Sequence, residues 1–130
     1  MQPRCLRDLT PRRVREREPV KERLVVPPPP PPTCWERDGV REQVECVFVE
    51  ESAYGYLWTS GWVNTVVTCE SGWDPGAYNP AGYYGLFQLS AAWIWKLQAY
   101  GYWGSPVPNA RMAVYVLGAQ GRSAWSCSPW

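Results

Sequence analysis

The stretch Cys69-Glu70-Ser71-Gly72-Trp73-Asp74-Pro75-Gly76-Ala77-Tyr78-Asn79-Pro80-Ala81-Gly82-Tyr83-Tyr84-Gly85-Leu86-Phe87-Gln88 decides how this chain is read. One carboxylate, Glu70, stands where an apolar segment gives way to a loop rich in glycine, proline and aromatic residues. Just upstream, Trp62, Val63, Val66 and Val67 follow one helical face, which continues to Cys69 or Glu70. Ser60 is the expected cap of this helix, and Gly72 and Pro75 stop it. Its β-branched content is high, so burial rather than propensity must hold it. Glu70 then falls in the last turn, near the negative end of the helix dipole and beside apolar rings. Both surroundings disfavour the charged carboxylate, and its pKa is expected to rise.

Working outward, the segment before this helix is also helical in pattern. Val40, Val44, Val47 and Phe48 recur at spacings of three and four, which predicts a first helix over 38–51. Tyr54 to Trp58 read as a connection or short turn. Residues 74–86 form a turn-rich excursion, better read as a substrate-lining loop than as a strand pair, with a short hairpin at Tyr83–Leu89 as the alternative. Ser90 opens a short helix carrying Trp93, Ile94 and Leu97. Tyr100 to Pro108 make a second Gly/Pro/aromatic loop. Asn109 is the expected cap of a last helix running to about Leu117, with Met112, Ala113, Val116 and Leu117 inward. The expected class is mainly α, or α+β: a compact helical domain with long aromatic/Gly/Pro loops, with one short hairpin as an option.

The N-terminal quarter is different material. Residues 1–26 carry eight basic and four acidic side chains, whereas the remainder carries five basic and eight acidic. The default for 1–26 is a disordered basic arm. Pro27 to Pro32 should form a stiff polyproline II spacer, so 27–33 is the linker and 34–130 the folding domain. About a hundred residues support one small core, of the kind that often needs a covalent staple. Glutamates interrupt the basic arm and no nucleic-acid reader motif follows, so no nucleic-acid partner is expected. No run of 18 apolar residues exists, and no membrane span is expected. The opening Met-Gln-Pro-Arg-Cys-Leu-Arg-Asp has no apolar core, so no secretory signal is expected in it. Travel in a virion or through a lysis pore would be alternative export routes.

Nine Trp and eight Tyr against two Phe favour wet aromatic surfaces as well as core. Roughly half of these rings are expected to build the interior. The absence of His excludes His-based triads, Cys-His peptidases and His-ligated zinc for this chain alone. The cysteines are Cys5, Cys34, Cys46, Cys69 and Cys127, with no Cys-x-x-Cys pair. Four in the body fit an exported, oxidised protein. A lone acid held against Trp and Tyr rings, with the amide of Gln88 nearby, suits protonation of a sugar leaving group.

The run Cys69-Glu70-Ser71-Gly72-Trp73-Asp74-Pro75, then Ala77-Tyr78-Asn79-Pro80, then Gly82-Tyr83-Tyr84-Gly85-Leu86-Phe87-Gln88-Leu89, resembles the lysozyme-like lytic transglycosylases. The soluble-lytic-transglycosylase-like and resuscitation-promoting-factor branch is the nearest in look. The tail Ala124-Trp125-Ser126-Cys127 resembles the resuscitation-factor tail, and the resemblance covers roughly 38–130. It implies a lysozyme-like fold and cleavage of the β-1,4 bond between N-acetylmuramic acid and N-acetylglucosamine in peptidoglycan. It maps the catalytic acid onto Glu70, the substrate amide onto Gln88, and a supporting hydroxyl onto Ser71. It also implies a Cys69–Cys127 disulfide, which would close a 58-residue separation worth about 4 kcal/mol in the chain-entropy model. Asn109 is similar to an Asn of the family's later helix. The Ala-Tyr-Asn motif of many transglycosylases is absent from the C-terminal region; Tyr115 sits in a comparable helix without it.

Ordinary glycoside hydrolysis needs two carboxylates. Asp74 is the candidate second one in a hydrolytic muramidase, although capping or turning the chain suits it better; Glu50 and Glu51 lie upstream. With one acid, the family's non-hydrolytic route yields 1,6-anhydro ends. Tyr78, Tyr83, Tyr84 and Trp103 are candidates for stacking on sugar. Cys34–Cys46 is a second candidate disulfide, with a free buried Cys46 as the other reading. The remaining expectations are no metal, no cofactor, a monomer, and an extracellular, wall-associated or virion-associated location. A reading of another class is a non-catalytic glycan-binding wall or virion protein.

Overall fold

The computed structural model describes residues 34–50 and 53–130. The expected arm (1–26), the linker (27–33), Cys5 and Glu51 lie outside the described residues. Helix α1 spans Val40–Glu50, α2 Gly55–Thr59, α3 Trp62–Ser71, α4 Ala91–Lys96 and α5 Pro106–Gln120. Short 3-10 turns occupy Cys34–Glu36, Gln98–Tyr100 and Arg122–Ala124. Strands β1 (Tyr78–Asn79), β2 (Tyr83–Tyr84) and β3 (Leu89–Ser90) form one antiparallel sheet in that order. The described chain is therefore mainly helical with a small three-stranded sheet. No helix among the described residues is long and apolar enough to cross a membrane.

The core explains why weak helix formers are helical. In α3, Trp62, Val63, Val66 and Val67 are fully buried. Each buried valine contributes about 1.5–3 kcal/mol, against a helix-propensity penalty of roughly half a kcal/mol, so burial decides. Helix α5 supplies the opposing wall with Met112, Ala113, Val116 and Leu117, and it packs chiefly on α1, whose buried residues include Val44, Val47 and Phe48. An aromatic spine links distant segments: Phe48 stacks on Phe87 at 5.8 Å, Phe87 meets Trp125 edge-on at 6.1 Å, and Trp125 meets Trp62 at 5.5 Å.

Two disulfides close the described body, Cys34–Cys46 and Cys69–Cys127, with Cα separations of 5.4 and 6.0 Å. The reading of Cys46 as a free buried thiol is thereby replaced. Two oxidised pairs fit an extracellular protein.

Several local expectations need correction. Of the two expectations for Tyr54 to Trp58, the short turn holds rather than the connection: Gly55–Thr59 is a helical turn with Leu57 fully buried. Ser60 does not cap α3; its hydroxyl leans on the Leu57 carbonyl at 3.5 Å, and Gly61, at φ 85°, starts the helix instead. Gly72, at φ 62°, does end it, with its N–H on the Val67 and Thr68 carbonyls. The excursion 74–86 is a strand pair after all, since Asn79 folds an Asx turn by accepting from Ala81 N–H at 2.8 Å. The hairpin between Tyr83 and Leu89 forms as the alternative expected, with Tyr84 opposite Leu89. Asn109 does not open the last helix. Ser105 precedes it, Pro106 fills its first position, where no backbone donor is needed, and it runs on to Gln120.

Candidate functional site

Glu70 lies in the last turn of α3, half-buried, one residue after the disulfide-bonded Cys69. Burial holds its carboxyl above the ordinary glutamate value, and the backbone amide of Cys127 pulls more weakly in the opposite direction. The tail is thus both a covalent neighbour of the acid and a polar one. Beyond residue 51, Glu70 and Asp74 are the only carboxylate side chains of the sequence.

The other expected residues divide into separate tasks. Ser71 donates its hydroxyl back to the Val67 carbonyl at 3.1 Å, which uses it on the helix end. Asp74 is exposed, and its Oδ1 accepts from Gly76 N–H at 3.0 Å, the turn role its place before Pro75 predicts. Gln88 adopts φ 49°, and its Nε2 donates to Gly85 O at 2.9 Å and Ala77 O at 3.3 Å. That side chain ties the two hairpins together, and no bond to its Oε1 occurs among the described residues. No hydrogen bond among the described residues joins Glu70 to Gln88 or to Asp74.

The turn Gly85-Leu86-Phe87-Gln88 is held from both sides. Asn109, fully buried in α5, accepts the Phe87 N–H at 2.9 Å and directs its Nδ2 to the Tyr84 carbonyl at 3.4 Å. Trp125 donates its indole N–H to the Phe87 carbonyl at 2.8 Å. Gly85, at φ 81°, fits because it lacks a side chain: a Cβ there would overlap the Asn109 amide and lie 2.7 Å from the Trp103 carbonyl.

The structure gathers three of the four expected stacking residues. Tyr78 and Tyr84 lie across the β1–β2 pair with ring centroids 5.1 Å apart, and Tyr84 meets Trp103 at 5.0 Å. Tyr83 is not in this row, because successive strand side chains point to opposite faces. Tyr102, which sequence reasoning missed, extends the row, 5.2 Å from Trp103. The signal was present in its adjacency to Trp103. Tyr115 belongs elsewhere, edge-on to Trp93 at 5.9 Å and near Tyr100 at 6.4 Å.

Trp73 joins the end of α3 to α1. It holds a left-handed backbone at φ 64°, donates its indole N–H to Thr68 Oγ1 at 3.1 Å, and carries the Arg41 guanidinium 4.2 Å above its ring. The strain at a bulky residue is offset by these contacts, which brace the turn immediately after Glu70.

The three described disulfide and carboxylate groups Cys34, Cys46 and Glu50 come close enough to suggest a metal cluster, but both sulfurs are committed to the bridge and are not available as thiolate ligands. Comparison with protein-family models, curated proteins and solved structures finds no match to the chain.

Proposed function

We propose that residues 34–130 are a lysozyme-like peptidoglycan lytic transglycosylase. The observation that carries this reading is Glu70: a single half-buried carboxyl with a raised pKa, at a helix end reinforced by a disulfide. The row Tyr78–Tyr84–Trp103 supports it, since aromatic faces match the C–H faces of sugar rings. Asp74, exposed and engaged in its own turn, gives little support to a two-carboxylate hydrolysis.

In the proposed reaction, protonated Glu70 donates its proton to the glycosidic oxygen as the bond to C1 of the muramoyl residue breaks. The substrate's own N-acetyl group stabilises the positive charge at C1. Glu70, now a carboxylate, takes the proton from the C6 hydroxyl as that oxygen bonds to C1. The proton count closes on Glu70, and no water is consumed. An acid that must give and retrieve a proton works best with a pKa near the working pH, the direction in which burial moves Glu70. Such acid–base action contributes roughly 10²–10⁴-fold, and positioning must supply the rest.

Mass spectrometry of purified peptidoglycan after digestion tests this reading. Anhydro-ended fragments support it. Reducing ends would make the protein a muramidase, and intact wall with retained binding would make it a glycan-binding protein.

A further inference from the structure

The aromatic row does not stop at Trp103. It runs through Tyr102 into a separate cavity of about 350 Å³, lined by Ile94, Trp95, Gln98, Gly101, Tyr102 and Trp103. This cavity sits between α4 and the loop before α5, in a part of the chain to which the reading above gives no role beyond Trp103.

Three features define what it can hold. First, among the described residues its lining has no charged side chain, so it offers no ion pair to an anion or a cation. Second, its aromatic walls are open: Trp95 is 74% and Tyr102 63% exposed. Third, it carries an amide. Gln98 spends one N–H on the Trp95 carbonyl at 3.1 Å, and no bond to its Oε1 occurs among the described residues. Apolar ring faces with a small number of neutral hydrogen-bonding groups suit a neutral polyol. The volume is at the small end of ligand pockets, the size of one pyranose with its substituent.

The Tyr102 ring lies across Gly104, where a Cβ would come within 2.5 Å of the ring edge, so glycine at 104 leaves room for the ring in this position.

We propose that Trp95, Gln98 and Tyr102 form a further sugar subsite, which takes an uncharged N-acetylhexosamine ring of the strand that crosses the Tyr78–Tyr84–Trp103 row. This rests on the glycan-cleaving reading for the identity of the strand. Its test does not rest on cleavage.

The experiment titrates chitin-type N-acetylglucosamine oligomers of increasing length into the inactive Glu70→Gln protein. Binding is followed by tryptophan fluorescence and by the indole N–H signals, with Trp95 assigned by Trp95→Phe. Affinity should rise with oligomer length, and the Trp95 signal should shift with the longer oligomers. Trp95→Ala and Tyr102→Ala should each weaken the longest oligomer about three- to tenfold. Both residues are exposed, so both variants should fold. Wall solubilisation by the unaltered protein runs in parallel. Binding that depends on Trp95, without solubilisation, would uphold the subsite and refute the enzyme. Solubilisation with oligomer affinity unchanged by either variant would refute the subsite alone. Absence of oligomer binding would overturn the subsite. A Trp95 signal that moves only with protein concentration would overturn it too and identify the patch as a self-association surface.

Discussion

The indole N–H of Trp125 donates to the carbonyl of Phe87 at 2.8 Å. This bond joins the two halves of the candidate site. Trp125 lies two residues before Cys127, which is bonded to Cys69 beside Glu70, and Phe87 immediately precedes Gln88. The acid and the amide-bearing turn are thus held to the same tail segment, although they come from a helix and a hairpin.

The tail staple sets the first expectation. Cys127→Ser should destabilise the fold by about 2–4 kcal/mol, lowering Tm by roughly 10 °C or more, and reduction, which also opens Cys34–Cys46, should cost at least as much. Circular dichroism melting with and without reductant measures it. An unchanged Tm on complete reduction, verified by thiol titration, would show that the Trp125 and Trp62 contacts hold the tail without the bridge. Trp62 donates its own indole N–H to Ser128 Oγ at 2.8 Å, so some docking should survive reduction.

Asn109 is the second point of leverage. It is fully buried, and its removal leaves the Phe87 N–H without a partner in the core. Asn109→Ala should cost about 2–4 kcal/mol, combining an unpaired buried donor with a small cavity. Gly85→Ala should act on the same turn from the other side, through overlap with Asn109 and an unfavourable φ of 81°. Chemical denaturation gives both values. A loss below about 0.5 kcal/mol in either variant would mean that the turn relaxes without them.

How much of this was readable beforehand differs by element. Helices α1, α3 and α5 were visible because their apolar spacings coincide with the buried faces, as with Val44, Val47 and Phe48. The stop at Gly72 was visible because left-handed backbone is nearly a glycine property. The start at Gly61 was not, since Ser60 is the better cap by side chain and only backbone geometry favours Gly61. Asn109 looked like a cap for the same reason: its residue type fits a helix start, but its amide is used across the core, on Phe87 and Tyr84. The β1–β2 pair was obscured because two-residue strands have no period, and the Asx turn at Asn79 creates the pairing. In the site, Glu70 was singled out by its context; the direction of its pKa shift was expected from the helix end and neighbouring rings, whereas in the structure burial raises it. Which aromatics form the row depended on strand alternation, which excludes Tyr83 and admits Tyr84.

Titration of Glu70 links activity and stability with a defined sign. The folded protein holds this proton more tightly than the unfolded chain does. Its contribution to stability is therefore fully present below the ordinary glutamate value of 4.5 and is lost as pH rises through the higher folded value. Glu70→Gln carries no such loss. The Tm of Glu70→Gln minus that of the unaltered protein should therefore increase from about pH 4 to about pH 7. On the proposed reading, wall cleavage should fall as rising pH removes the acid's proton. A Tm difference that stays flat or shrinks with pH would contradict the raised value.

The most direct measurement is the mass-spectrometric yield of anhydro-ended muropeptides from the unaltered protein and from Glu70→Gln, side by side on the same peptidoglycan, with both shown by circular dichroism to be folded. Release by the unaltered protein and a loss of at least a hundredfold in the variant is the expected result, the lower end of what general acid–base catalysis contributes. Equal release from both would remove Glu70 from the chemistry.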